Sequence, residues 1–381
     1  MAAAPSPTIE GRFQKCLKPG LNRPHDVIVH QGQYIVTDTF YNRVIAVNPA
    51  DNSLEVLCEK KQERLSSNMR PYGIVALSDS KQDFLITDAA NRSILRYTDN
   101  SCKVWSEAEL PQNGCPAGIA VDPLSGNVYV ADSQNRCIRV YDADGRYCRS
   151  FGSDHLQSPW FLDFNSEGHI FVTDNLAGLK IFAKDGKFVK KLAIRSENRS
   201  WSCRGVTIDQ YDNIFVTART KGSFRLLSRE KVVVFDHTHR VVSSLGGLMQ
   251  FNYVRGLCCD YGNNRLVVVD GEWHRLQLYK LYNQQQSALR QHSVLVDSPR
   301  DEGDHATKEH GGDCDDEMDE GFVIVSSCDC QDDSDDGDVD DPETCMDDYD
   351  YDYSHLELFR EENYNIASLT LQPESVEYNL S

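Results

Sequence analysis

One structural unit occurs six times in succession between residues 23 and 279, and this repetition constrains the fold more than any other feature of the chain. Each copy has an apolar strand after a Pro or Gly turn, a second strand that ends in Asp, and a third strand after a short loop. The strand-end position is occupied in turn by Asp38, Asp88, Asp132, Asp174, Ala218 and Asp270. Intervals of 42 to 52 residues between these positions are typical of propeller blades. The chain is therefore predicted to be an all-β, six-bladed β-propeller.

The end of the last copy predicts how the ring closes. Its third strand ends near Leu281 and no fourth strand follows. Residues 11–17 (GRFQKCL) resemble the fourth-strand segments 145–151 (GRYCRSF) and 186–192 (GKFVKKL). We expect residues 11–17 to complete the last blade, so that the propeller spans residues 11–282 and residues 1–10 form a disordered N-terminus.

Charge divides the chain into two parts. Residues 1–290 carry 36 Lys+Arg and 30 Asp+Glu, a net charge of +6, whereas residues 291–381 carry 3 and 29, a net charge of −26. Acidic blocks with little apolar sequence repel themselves and cannot offset the entropy of ordering. Residues 283–381 are therefore predicted to be an acidic, largely disordered tail, which could compete with an anionic ligand for the mildly basic propeller.

The sequence favours an intracellular protein. Its first residues lack the apolar core of a signal peptide, and no stretch approaches the 18 apolar residues of a membrane span. The 13 cysteines follow no disulfide or zinc spacing, which is typical of free thiols in a reducing compartment. We expect a cytoplasmic, monomeric propeller without membrane partners.

The repeated residues resemble the NHL-repeat family, whose motif combines Pro-x-Gly before the inner strand, Val-x-Asp at the end of the second strand and Asn-Arg before the third. Copies two and three match in full, with Pro71, Gly73, Asp88, Asn91, Arg92 and Pro116, Gly118, Asp132, Asn135, Arg136. Copy one keeps Pro24, Asp38, Asn42 and Arg43 but has Asp26 at the glycine position. Copies four to six are less complete. The resemblance is to the NHL domain of tripartite-motif proteins, without a RING or B-box.

The recurrent aspartates have a structural interpretation. A carboxylate at a strand end can pair with an Arg four or five residues later and accept backbone N–H groups of the turn. We predict this role for Asp38, Asp88, Asp132, Asp174 and Asp270.

The loops before each inner strand and after each second strand should lie on one face of the propeller, which in NHL proteins is the usual partner-binding surface. These loops also include His25 and Lys221. The predicted binding residues are Arg23, Tyr41, Arg43, Arg70, Tyr72, Arg92, Arg136, Trp160, Phe161, Arg204, Arg219, Arg255, Trp273, His274 and Arg275. Such a mixture of cations and aromatic rings suits either a protein segment or single-stranded RNA.

The predicted function is non-enzymatic recognition of a protein partner, which the resemblance extends to an adaptor role in ubiquitin-dependent turnover. The alternatives are a single-stranded RNA-binding regulator and a metal-dependent propeller lyase or lactonase. A metal enzyme needs ligands from several blades at the central channel, but His25, His155, His169, His237, His239 and His274 fall at different places in their repeats. No cofactor and no metal site are predicted.

Overall fold

The computed structural model describes residues 9–59, 68–106, 113–192, 194–196, 199–220, 230–246 and 250–283. The described residues form six antiparallel sheets in succession, so the predicted all-β six-bladed propeller is confirmed. They include no helix with the length and apolarity needed to cross a bilayer. Residues 1–8 and 284–381, with nearly all of the predicted acidic tail and its proposed competition for ligand, lie outside the described part of the chain.

The first strand, β1 (Ile9–Leu17), belongs to the last blade, and the next twelve strands build blades 1 to 3. Blade 1 consists of β2 (Val27–His30), β3 (Gln33–Asp38), β4 (Arg43–Val47) and β5 (Leu54–Glu59). Blade 2 consists of β6 (Pro71–Ala76), β7 (Phe84–Asp88), β8 (Ser93–Thr98) and β9 (Ser101–Val104). Blade 3 consists of β10 (Pro116–Val121), β11 (Val128–Asp132), β12 (Cys137–Tyr141) and β13 (Tyr147–Phe151).

The second half of the ring contains two larger variations. Blade 4 consists of β14 (Pro159–Phe164), β15 (Ile170–Asp174), β16 (Gly178–Phe182) and β17 (Phe188–Leu192). Blade 5 has a short extra strand and consists of β18 (Arg195–Ser196), β19 (Arg199–Ile208), β20 (Ile214–Thr220), β21 (Glu230–Phe235) and β22 (Val241–Leu245). Blade 6 combines β1 with β23 (Val254–Asp260), β24 (Arg265–Asp270) and β25 (Arg275–Asn283).

The two ends of the described chain meet in blade 6. Strand β1 pairs antiparallel with β25 from Ile9 opposite Asn283 to Leu17 opposite Leu276. It contains the segment expected to close the ring and begins two residues earlier. A Cβ atom on Gly11 would come within 2.6 Å of a Leu245 methyl carbon, so the glycine allows β1 to pack against blade 5.

The glycine of the Pro-x-Gly motif allows neighbouring blades to approach each other at the axis. The first strand of each blade contacts the first strand of the next, including β23 with β2 across the closure. A Cβ atom on Gly73 would lie 2.6 Å from the Ala117 carbonyl oxygen, and one on Gly118 would lie 2.6 Å from that of Trp160. Real Cβ atoms do not approach this closely, so a side chain here would separate the inner strands.

Threonines just before the strand-end position join adjacent blades. The Thr87 hydroxyl accepts the Gly73 N–H at 2.7 Å in its own blade and donates to the Ala117 carbonyl of the next blade at 2.5 Å. Thr217 similarly donates to the Arg255 carbonyl at 2.8 Å. Four blades share this arrangement, through Thr37, Thr87, Thr173 and Thr217. The inter-blade role of the hydroxyl was not predicted, although Thr before the strand end recurs in the sequence.

Candidate functional site

The candidate site occupies one end of the propeller, which we call the upper face. Inner strands begin and second strands end there, because the strands within each blade are antiparallel. The loops between blades and the loops after the strand-end aspartates therefore share this face. Turns such as residues 122–127, between β10 and β11, lie at the opposite end, which we call the lower face.

Buried aspartate carboxylates connect the two kinds of upper-face loop. Asp88 accepts the Arg70 N–H at 2.9 Å from the inter-blade loop and the Asn91 N–H at 3.2 Å from its own loop. Asp270 accepts the Asn252 N–H at 2.8 Å in the same way. All five strand-end aspartates are fully buried, and blade 5 has the buried Ala218 in their place. Through these hydrogen bonds Asp88 joins two upper-face loops, and Asp270 holds the loop before its own inner strand.

The predicted Asp–Arg pairing occurs in only two of the five blades that have the aspartate. Arg43 pairs with Asp38, and Arg275 pairs with Asp270, each at 2.7 Å. In the remaining blades the strand-end carboxylate has another side-chain partner. That partner is Asn91 at 2.6 Å for Asp88, Arg139 at 2.7 Å for Asp132, and Lys180 at 3.0 Å for Asp174.

Strand register explains why Arg92 and Arg136 do not pair with the aspartates. The residue directly opposite the aspartate is Arg43 in blade 1 but Ser93 in blade 2, so the two Asn-Arg pairs are offset by one position. The preceding residue has a left-handed backbone, with φ of 54° at Asn42, 50° at Arg92 and 53° at Arg136. Arg92 and Arg136 are consequently exposed on the upper face.

The variable residue of each Pro-x-Gly unit points to the axis and is buried. From blade 1 to blade 6 this axial layer contains His25, Tyr72, Ala117, Trp160, Arg204 and Arg255. Five of these six residues were predicted to lie in upper-face loops, but no more than 5% of any of the six is exposed. Phe161, one position further along, is also buried because it packs in the core. The exposed part of the predicted surface is therefore smaller than expected, because the buried axial layer occupies its centre.

Aromatic rings stack on one side of the axial layer. The His25 ring lies 4.2 Å from the Tyr72 ring and 6.4 Å from the Trp160 ring, measured between centroids. His25 Nε2 accepts a hydrogen bond from Arg255, which has only donors, so Nδ1 carries the proton that it donates to Thr39 Oγ1 at 2.7 Å. Burial, together with the charges of Arg255 and Arg204, lowers the pKa of His25 well below its usual value and keeps the ring neutral.

Three arginines lie close to the aromatic ring of Tyr253, a residue that was not among the predicted binding residues. The guanidinium carbon lies 4.0 Å from the Tyr253 centroid for Arg204, 4.5 Å for Arg255 and 5.2 Å for Arg219. Tyr253 is buried and has a φ of 67°, which is uncommon for a bulky residue. Glu230 lies 3.6 Å from Arg219, and burial raises the pKa of its carboxyl. Neither Tyr253 nor Glu230 belongs to the repeat motif.

The rim of the upper face carries exposed rings that arginines cover. Tyr41 is 54% exposed and lies 4.7 Å from the Arg43 guanidinium carbon, while Trp273 is 37% exposed and lies 4.2 Å from that of Arg275. These distances run from the guanidinium carbon to the ring centroid. The rim therefore presents two aromatic surfaces whose positions are set by the neighbouring arginines.

Arg23 and His274 connect blades 1 and 6 at the rim. The Arg23 guanidinium pairs with Glu272 at 3.1 Å, and the Arg23 N–H donates to His274 Nδ1 at 3.0 Å. Arg70 is exposed. Lys221 falls outside the described residues.

Two carboxyl groups lie near the axis, the buried Asp26 just before β2 and the half-buried Asp163 on β14. Burial raises the pKa of Asp26 to about 7 and that of Asp163 to about 6. Each carboxyl accepts a backbone N–H from the next blade, from Ile74 at 3.1 Å and from Ile208 at 2.8 Å. Within the described ranges no three His, Cys, Asp or Glu side chains are grouped so that they could hold a metal ion.

Comparison with known proteins relates the chain to NHL proteins. The family model "NHL repeat" matches residues 113–141, which begin just before blade 3 and include its first three strands. The Drosophila melanogaster protein brain tumor is 27% identical over 139 residues, which are 34% of this chain and 12% of that relative. The chain thus matches about an eighth of the relative's length.

Solved structures share the propeller fold at low sequence identity. A structure assigned as a gluconolactonase has a TM-score of 0.54 and 14% identity, and the match covers 74% of this chain and 94% of that one. Virginiamycin B lyase from Staphylococcus aureus has a TM-score of 0.50 and 14% identity, with 73% and 100% covered. Likeness at this level shows the fold alone. The repeated motif and the family match in blade 3 show that the chain contains an NHL repeat and is similar to NHL-repeat proteins.

Proposed function

We propose that the protein is a non-enzymatic recognition propeller that binds a segment of another protein through its upper face. The pair of exposed rings, Tyr41 and Trp273, carries this proposal because each is covered by an arginine. The arginines Arg43 and Arg275 are themselves held by buried aspartates. Aromatic and arginine side chains that are ordered before binding are typical of protein-interface hot spots.

The charge pattern of the rim favours a protein partner over RNA. Arg23, Arg43 and Arg275 pair with Glu272, Asp38 and Asp270, and these pairs reduce the positive potential that they contribute. Single-stranded nucleic acid is usually held by a continuous positive groove that follows the phosphates. Because its arginines form ion pairs, the rim offers less of the positive charge that RNA binding requires. It is better suited to a protein surface that carries charges of both signs.

Single-stranded RNA remains the second candidate because of blades 2 and 3. Arg92 and Arg136 are exposed there on neighbouring loops, and neither forms an ion pair within the described part of the chain. Arg70 is also exposed on this side. These three arginines could contact phosphates, and they define the region where an RNA ligand would bind.

Crosslinking and pulldown with and without RNase tests the proposal. The partner should stay bound after RNase, and Trp273→Ala should reduce its capture by about tenfold or more, as loss of an aromatic hot spot does. Tyr147→Ala is the matched control, because Tyr147 is 44% exposed and lies 5.7 Å from the Arg139 guanidinium carbon on the outer strand β13. Loss of capture after RNase would favour RNA, and equal capture by the two variants would contradict the proposal.

An adaptor role in ubiquitin-dependent turnover is the finer part of the proposal and rests on the family resemblance. Depletion of the chain should then lengthen the half-life of the captured partner, and Trp273→Ala should fail to restore turnover. An unchanged half-life would leave a scaffold that does not direct degradation.

A further inference from the structure

We infer that the axial layer contains a binding site for a carboxylate, between Arg204 and Arg255 on the upper face. This inference rests on the proposed function, since it specifies which group of an acidic peptide the propeller would bind. The site consists of Arg204 from blade 5, Arg255 from blade 6 and the two aromatic rings beside them, Trp160 and Tyr253.

Arg204 has unused donors in a buried position. The residue is 5% exposed, and its Nε and Nη1 atoms are buried without a hydrogen-bond partner among the described residues. Its guanidinium carbon lies close to two rings, 4.0 Å from the Tyr253 centroid and 5.3 Å from that of Trp160. Ring faces attract the cation but leave its in-plane N–H groups free to donate. Buried N–H donors on a charged group are costly unless an acceptor reaches them.

Like charges crowd this position. Arg204, Arg219 and Arg255 all have their guanidinium carbons within 5.2 Å of the Tyr253 centroid. The repulsion between such groups is strong where burial lowers the effective dielectric. An anion between them would lower this repulsion and accept the unused Arg204 donors.

The neighbouring groups keep the charge of the site positive. His25 is neutral and accepts a hydrogen bond from Arg255, so it contributes no acceptor capacity beyond that bond. Glu230 is engaged by Arg219 and by the Val254 N–H, which it accepts at 2.6 Å. The left-handed φ of 67° at Tyr253 is a further sign, because sparsely populated backbone conformations concentrate at ligand sites.

The size and surroundings of the site favour a peptide carboxylate. Arg204 and Arg255 are almost completely buried, so the site suits a small group at the end of a side chain or chain. The arginines Arg23 and Arg275 on the adjacent rim pair with acidic side chains, which lowers the positive charge that they offer to a phosphate backbone. An acidic segment with one carboxylate inserted at the axis satisfies both conditions.

Titration calorimetry of the full chain tests the assignment. The probe is a hexapeptide of glutamate, acetylated and amidated so that only side-chain carboxylates are available. Arg204→Gln removes the guanidinium charge and leaves a shorter polar side chain, and it should weaken peptide binding by about 30-fold or more. Arg146→Gln is the control, because Arg146 is an exposed arginine in the turn between β12 and β13 on the lower face, and it should change the affinity by less than about threefold.

Two further ligands identify the source of the anion. Binding of succinate with the same dependence on Arg204 supports the carboxylate site and identifies a free acid as an adequate ligand. Binding of a uridine hexanucleotide that depends on Arg204, without binding of the peptide, would overturn the carboxylate assignment. Absence of peptide and succinate binding, or equal peptide affinity for Arg204→Gln and the wild type, would overturn it as well.

Thermal unfolding separates ligand binding from a structural role. Because Arg204 is a buried charge with unused donors, unliganded Arg204→Gln should melt at the wild-type temperature or higher. A lower melting temperature with unchanged peptide affinity would make Arg204 a structural residue and contradict the site. If Trp273→Ala still abolishes partner capture in that case, only the carboxylate site has failed and the proposed function stands.

Discussion

Blades 2 and 3 carry the complete repeat motif, whereas blades 5 and 6 lack its proline and blade 5 also lacks its aspartate. The variable position at the axis holds Tyr72 and Ala117 in the first pair and Arg204 and Arg255 in the second. In both pairs the motif glycine lies against the backbone of the next blade, at Gly73 and Gly118 and at Gly205 and Gly256. The buried arginines occupy the variable position of the motif. The repeated residues therefore indicate the propeller fold, and the residues that differ between blades indicate the candidate site.

The largest effect is expected when a motif aspartate is removed. Asp132→Ala leaves Arg139 without its carboxylate and the Cys115 and Asn135 N–H groups without their acceptor, so the free energy of unfolding should fall by about 3–5 kcal/mol. Urea unfolding measures the loss. Asp144→Ala is the control, because its pair with Arg146 is exposed and should contribute less than about 1 kcal/mol. Equal effects of the two changes would contradict a structural role for the motif aspartate.

The next prediction compares the motif glycines of blades 3 and 5, which lie against the next blade at the axis. Gly118→Ala and Gly205→Ala should each lower the free energy of unfolding by about 1–3 kcal/mol, because the added Cβ would meet backbone atoms of the next blade. Gly262→Ala on the lower face is the control, since its nearest neighbour would lie 3.7 Å away. A large loss of unfolding free energy for only one of these two variants would show that blades 3 and 5 differ in packing as well as in their axial residues.

Replacing the inter-blade threonines of blades 2 and 5 should lower the free energy of unfolding by a smaller amount, equal in the two blades. Thr87→Val and Thr217→Val each leave a carbonyl of the next blade without its hydroxyl donor, so each should lower the free energy of unfolding by about 1–2 kcal/mol. Thr98→Val, at the end of the third strand of blade 2, is the reference substitution. Chemical unfolding of the three variants in parallel gives the comparison, and a change at Thr98 as large as the others would argue against the hydroxyl bonds.

The smallest test concerns blade 1, which has Asp26 where blades 2 and 3 have glycine. The folded-state pKa of about 7 lies above the usual value of 3.8, so the folded protein holds a proton that the unfolded chain releases between pH 4 and 7. Stability from this group therefore falls as the pH rises through that interval. Between pH 5 and 6 the loss should be about 1 kcal/mol relative to Asp26→Gly, measured by thermal unfolding at each pH.

Comparing Asp26→Gly with the wild type is necessary because Asp163, with a pKa of about 6, titrates in the same interval. The contribution of Asp163 largely cancels in the difference. Parallel pH profiles for the two proteins would show that Asp26 is ionised in the folded state at all these pH values.

Several features of the fold could be predicted because they depend on local sequence. Strand-end aspartates, Asp-Gly turns and alternating apolar residues mark the blades, and the likeness of residues 11–17 to other fourth strands indicates the pairing that β1 makes with β25. The pairing partners of the aspartates could not be predicted. A one-residue difference in loop register decides whether Arg43 faces Asp38 or Arg92 turns to solvent, and sequence spacing does not reveal that register.

The sequence by itself determined the number of blades, the face on which the loops gather and the excess of arginine and aromatic residues there, because each depends on a repeated local pattern. Only the tertiary structure decided which of those residues are buried. Arg204, Arg255 and Tyr253 come from two blades and an inter-blade loop, and they meet because the inner strands β19 and β23 pack against each other beside the axis. Burial at that axis depends on all the blades at once, and therefore no single repeat contains the information.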